Sequence, residues 1–176
     1  MIETDRLLLR RWQASDRGPF AAMGADPEVM AHFPGLMTRA ESDALIDRVE
    51  AHFDACGYGM WAMERRSDRA FIGFTGLQDV NFMSPIDGDI EIGWRLARSA
   101  WGLGLAHEAA ATCLEWSWAN TDAARIVAMT VTANVRSQGL MQRLGLQRRT
   151  DLDFDHPRVV DGNPLRPHIV YSIDRA

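Results

Sequence analysis

No lysine occurs anywhere in this chain: all 19 basic residues among its 176 are arginine. That absence excludes a phosphate-loop lysine and a Schiff-base lysine, and with them the nucleotide-hydrolysing and pyridoxal chemistries that need one. Cysteine is nearly as scarce. Cys56 and Cys113 are the only two, far apart and each on the apolar face of an expected helix, which fits reduced core thiols and not a disulfide or a metal knot. Long hydrophobic runs are missing as well, since charge interrupts every one within a few residues. Met1–Arg6 lacks the basic-then-apolar order of a signal peptide, so a cytoplasmic location with no membrane partner is expected. The five histidines, at 32, 52, 107, 156 and 168, show no pair at metal-ligand helical spacing, and no metal is expected. A net charge of −5 argues against a nucleic-acid backbone as partner and is compatible with a cationic small molecule or peptide.

What is present suffices for one domain. A chain of this length with 47% hydrophobic residues can bury its own core. Thr4–Trp12 reads as a first strand and Ser15–Gly24 as a short helix. Thr38 and Glu41 form a capping box opening a helix over 38–56, with Leu45, Val49, Phe53 and Cys56 on one face and Gly57 as its stop. Strands Tyr58–Glu64 and Phe71–Gln78 follow as a hairpin, Gly73 and Gly76 marking a bulge or a close backbone approach. The pattern continues with a strand over 89–96, a helix over 103–119 whose Leu105, Ala109, Cys113 and Trp116 share a face, and a strand over 125–132. Strand, helix, strand in this length implies a right-handed parallel crossover. A helix over 135–144 ending at Gly145, strands Leu146–Thr150 and His168–Ile173, and a loop between Pro157 and Pro167 complete the chain.

The most informative stretch is Glu91–Ala110, where an apolar strand passes through Trp101-Gly102-Leu103-Gly104-Leu105-Ala106 directly into a helix. The first N–H groups of a helix lack intrahelical partners and carry the positive end of its dipole, so they can hold a phosphate without a basic side chain. Small residues at 102, 104 and 106 let a ligand such as a pyrophosphate approach the main chain. A dinucleotide-binding reading fails here. Position 107 is His where a third glycine is needed, and the acidic Asp122 precedes the next strand instead of ending it.

These residues, together with Asn134-Val-Arg-Ser137 and Leu144-Gly145-Leu146, resemble the GNAT acyltransferase superfamily, in its branch similar to ribosomal-protein N-terminal acetyltransferases. Trp101, Gly104 and Ala106 match the pyrophosphate motif, with Trp standing where the wider superfamily has Gln or Arg. Thr4–Arg10, Phe71–Leu77, Asp155–Pro157 and His168–Tyr171 add supporting likeness, read as scaffold. The resemblance implies an α/β (α+β) fold: a mixed, mostly antiparallel sheet of six to seven strands, a splayed parallel pair at about 89–96 and 125–132, and flanking helices. It also implies acetyl-CoA as co-substrate, held along Trp94, Arg95 and Leu96, by Trp101, Gly102, Leu103, Gly104, Leu105 and Ala106, and beside Asn134, Ser137 and Met141.

Two side chains are candidates for the chemistry. Glu91 shares a strand face with Gly93 and Arg95, and reads either as the base that deprotonates an amine or as an edge carboxylate paired with an arginine. Ser137 reads either as a helix cap or, by the resemblance, as the hydrogen-bond partner of the coenzyme A sulfur. Many superfamily members place a Tyr acid where this chain has Met141; a thiolate with a pKa of roughly 8–9 needs little protonation. His107 and His156 are candidates for the acceptor side, with structural roles as their alternative. The implied activity is acetyl transfer to a primary amine, on a small molecule or a peptide or protein N-terminus. The alternative is a non-catalytic acyl-CoA-binding or sensing module. A homodimer is compatible with either.

Overall fold

The computed structural model, which describes residues 1–175, splits the first expected strand in two: β1 (Ile2–Glu3) and β2 (Leu7–Arg10) pair antiparallel across a turn. Thr4 sets that turn, its hydroxyl accepting the N–H of Leu7 at 2.9 Å. A 3₁₀ turn at Ala14–Asp16 leads into α1 (Arg17–Gly24), and α2 (Arg39–Cys56) opens on the expected capping box, with Glu41 N–H donating to the Thr38 hydroxyl at 3.2 Å. Gly57, at φ 79°, ends the helix. The buried face of α2 is Ser42, Ile46 and Phe53, with Leu45 and Val49 only half-buried. Cys56 is exposed, contrary to the expectation of a core thiol: it is the last helical residue, and its sulfur meets polar partners at the helix end. Cys113 is buried as expected.

Six further strands, β3 (Met60–Arg65), β4 (Ala70–Asp79), β5 (Ile90–Leu96), β6 (Arg125–Thr130), β7 (Gln147–Asp155) and β8 (Pro167–Asp174), complete one sheet in the order β1-β2-β3-β4-β5-β6-β8-β7. The sheet thus has eight strands, not six to seven, because the N-terminal segment contributes two. β7 also runs well beyond the short strand expected, resuming its pairing with β8 at Phe154 after an irregularity. Both readings of the β4 glycines hold. The β3–β4 register shifts between Met63 and Glu64, and a Cβ at Gly73 would lie 2.3 Å from the Arg95 carbonyl oxygen.

Helices α3 (Leu105–Asn120) and α4 (Val135–Arg143) pack on one face of the sheet, burying Leu105, Ala109, Cys113 and Leu140 against Ile72, Ile92 and Ile126. Trp116 is only half-buried, so the buried stripe of α3 runs through Ala110, Leu114 and Ser117 instead. On the other face α1 and part of α2 cover Trp12, Phe20, Ile46 and Ala62, while Val80, Ile86, Val127 and Val170 form a separate cluster. No helix among the described residues is long and apolar enough to cross a membrane.

The feature that positions the site is a split in the sheet. β5 and β6 are parallel, but pair only at Ile90–Ile126 and Glu91–Val127. Beyond that rung β5 stays with β4 as far as Leu96 and β6 stays with β8 as far as Thr130, so the two halves diverge.

Candidate active site

Glu91 stands on the last paired rung, at the vertex of the split. Register puts Gln78 of β4 directly opposite, and its side-chain amide donates to Glu91 Oε2 at 2.8 Å. The carboxyl is 8% exposed and makes no ion pair among the described residues, so the alternative of an arginine-paired edge carboxylate does not hold. Burial raises its pKa to about 7; the Gln78 hydrogen bond opposes this only in part. A carboxylate tuned near neutrality can accept a proton and release it again.

Past Glu91 the β5 edge is open. Ala97 N–H donates to Ile72 on the β4 side, so strand alternation turns the main-chain groups of Trp94 and Leu96 toward the split. The Trp101 indole N–H donates back to the Leu96 carbonyl at 2.9 Å, tying the glycine turn to the strand end. Gly102 and Gly104 have φ of 74° and 75°, left-handed values that helix cannot continue, and α3 therefore begins at Leu105 rather than at 103. Gly104 is the N-cap and no side chain caps the helix. Its first-turn acid is drawn away: Glu108 accepts from Thr4 at 2.5 Å and from Arg6 at 2.6 Å, while Arg6 also donates to the Leu103 carbonyl at 2.8 Å. Free N–H groups at a helix start, with the nearby carboxylate engaged elsewhere, fit a diphosphate.

Across the split, Asn134 caps α4, accepting from Ser137 N–H at 3.3 Å and donating to Thr130 at 3.0 Å. The cap is Asn134, so Ser137 is a first-turn residue rather than the cap, and it lines the cleft. Met141 is 1% exposed and puts no hydroxyl there.

These elements enclose two connected spaces. A groove of about 840 Å³ between the α3 mouth and α4 is lined by Trp94, Arg95, Leu96, Trp101, Gly102, Gly104, Leu105, Ala106, Asn134 and Ser137. A cavity of about 370 Å³ contains Glu91 and Met141. His32, Phe33, Trp94, Arg95, Asn134 and Ser137 line both, so the spaces meet beside Ser137. Leu103 alone of the expected residues lines neither; it is half-exposed and serves the turn through its carbonyl. His156 lines the cavity, whereas His107 lies on the groove and not on the acceptor side. Gln78, His168, and the groove arginines Arg136 and Arg143 were not among the expected site residues, although Arg136 and His168 lie in segments that carry the family likeness. The ten-residue 80–89 connection between β4 and β5 is no tight hairpin, so the register pairing Gln78 with Glu91 was not legible.

Three metal-capable side chains converge elsewhere. The Cys56 sulfur lies 3.9 Å from His52 Nδ1 and 3.5 Å from an Asp79 oxygen, outside both spaces.

The acetyltransferase (GNAT) domain family matches residues 6–147. YkkB of Bacillus subtilis is 26% identical over 82% of this chain and 84% of its own. Among solved structures, a GNAT-family acetyltransferase from Bacillus anthracis superposes with a TM-score of 0.79 at 21% identity, covering 98% of this chain and 97% of that one. A spermidine N-acetyltransferase from Vibrio cholerae, solved with CoA and spermine, gives 0.74 at 15% identity over 97% and 96%. The chain belongs to the GNAT acetyltransferase family.

Proposed function

We propose that the chain works as one domain that transfers an acetyl group from acetyl-CoA to a primary amine, by direct attack of the amine on the thioester. The observation that carries this reading is the junction of the two spaces: a groove with a helix mouth meets a cavity holding a buried carboxyl tuned to about 7. The N–H groups from Gly102 to Ala106 would hold the diphosphate, and the open edge at Trp94 and Leu96 the extended arm.

Glu91 takes the proton from the attacking ammonium, directly or through a water. A main-chain N–H near Leu96 stabilises the developing oxyanion, a contact whose loss typically costs about 3–4 kcal/mol. Ser137 donates a hydrogen bond to the leaving sulfur, which needs only a weak donor because a thiolate is stable near neutral pH. Likeness to ribosomal-protein N-terminal acetyltransferases favours a peptide amine as acceptor. In a homodimer each protomer would carry its own complete site.

Titration with acetyl-CoA followed by a thiol-release assay over a panel of amines tests the reading. Tight binding with thiol release on at least one amine is expected. Tight binding with no turnover on any amine would instead favour a coenzyme A sensor, and failure to bind would remove both.

A further inference from the structure

The cavity beside Glu91 is poor in negative charge. Among the described residues Glu91 is the only carboxylate on its lining, which also includes Arg95, Arg158, His156 and His168; the Arg158 guanidinium donates to Asn81 at 2.9 Å and lies over the Phe82 ring, so Arg95 is the cation without a polar partner there. Burial lowers the pKa of both of these imidazoles, that of His156 to about 4, so they are neutral near pH 7 and the fixed positive charge is guanidinium.

Arg95 is the informative member. The buried Arg10 is matched by Asp16 at 2.7 Å and Glu64 at 2.8 Å. Arg95 has no ion-pair partner among the described residues. Its Nη1 meets only the Met37 sulfur, at 3.3 Å, and its Nε is buried without any hydrogen-bond partner. The rings of Phe33 and Phe74 lie 4.0 and 5.4 Å from its Cζ, holding the planar fork in place. Burial lowers its pKa to about 10, which leaves it charged at neutral pH. A partly desolvated cation with no counter-ion is costly, and a bound anion relieves that cost.

We infer that the acceptor amine also carries a carboxylate, which pairs with Arg95 while the amino group faces Glu91. This inference rests on the acetyl-transfer reading and narrows its substrate. Two parallel N–H donors on a guanidinium suit a carboxylate in particular. Glu91 and Arg95 are four residues apart on a strand, about 13 Å between Cα atoms. A short peptide with an acidic side chain or free C-terminus therefore reaches both ends better than a free α-amino acid does. The net negative charge of the whole chain suits a cation, but it does not lie where this ligand would sit. A polyamine would bring further positive charge to a cavity that already holds the unpaired Arg95 guanidinium.

The test measures thiol release from acetyl-CoA with matched acceptors: dipeptides and tripeptides as free acids, the same molecules as methyl esters or amides, free α-amino acids, and spermidine. Wild type should favour the acids over their neutral counterparts by about 10-fold or more in kcat/KM, the order expected when one desolvated charge loses its partner. In Arg95→Met that ratio should fall close to one, and Arg95→Lys should recover some of it. Higher rates with peptides than with amino acids identify the longer acceptor; the reverse identifies the shorter one, and both support a carboxylate. Equal rates for acid and ester in wild type would overturn the inference while leaving acetyl transfer intact, and this comparison stands even if Arg95→Met fails to fold. Absence of thiol release with every amine, charged or neutral, would instead overturn the transfer reading beneath it.

Discussion

The groove and the cavity are built in different ways. The groove draws most of its walls from β5 and the turn into α3 on one side and from α4 on the other, with Glu28, Val29, His32 and Phe33 added from the segment after α1, and the α3 mouth offers main-chain N–H groups that no side chain caps. The cavity gathers side chains from Trp12 through His168, and its character depends on which side chains arrive. A site made from backbone can keep its ligand through much sequence change, provided the turn keeps its conformation. A site made from side chains changes specificity with each substitution, which is why a shared fold leaves the acceptor undetermined.

The sharpest way to separate the two regions is Glu91→Gln. Loss of the base should lower kcat/KM by about 10²–10⁴-fold, with acetyl-CoA affinity by titration nearly intact. In the parent protein the same rate should rise with pH through about 7, because only the deprotonated carboxyl accepts a proton, and the variant should lack that limb. Unchanged turnover across the pH range would remove Glu91 from the chemistry.

The scaffold under the cavity makes the next largest effect. Asp16 is 2% exposed and takes both Arg10 Nη1 and Nη2, at 2.7 and 2.9 Å, fixing the start of α1 to β2. Asp16→Ala leaves a buried guanidinium short of a partner and should cost about 3–5 kcal/mol in urea unfolding. A cost below about 1 kcal/mol, the range of exposed pairs, would mean that this network does not hold the wall.

Gly104→Val acts on the groove instead. A residue with a branched side chain at φ 75° is strained by about 1–2 kcal/mol or more and crowds the helix mouth. Acetyl-CoA affinity should weaken by about 10-fold or more, while the pH limb assigned to Glu91 stays in place. Normal affinity would show that the diphosphate rests elsewhere.

Gln78→Ala is the finest probe. The Gln78 hydrogen bond holds the Glu91 pKa down against the upward push of burial. Its removal should move the pH limb of kcat/KM to higher pH, and a shift to lower pH would contradict the assigned balance.

Some of this was legible from local pattern. The capping box at Thr38, the stop at Gly57, the strained glycines of β4 and the glycine turn before α3 each follow from residues a few positions apart, because helix ends and turns are decided by local backbone sterics and hydrogen bonding. Cys56 shows where that reasoning ends. Helical periodicity put it on an apolar face, but burial depends on the neighbours, and these are His52, one turn earlier on the same helix, and Asp79 at the end of β4.

The chain's own order of residues determined that a strand would run through two left-handed glycines into an uncapped helix, and so that an anion would find main-chain donors there. Only the tertiary structure decided that Gln78 would face Glu91, that the sheet would divide just past that rung, and that a half-buried Arg95 would lie against rings with no carboxylate beside it. The reason is range. Turns and caps are settled within a few residues, whereas strand register, burial and charge pairing depend on segments that meet only when the whole sheet has formed.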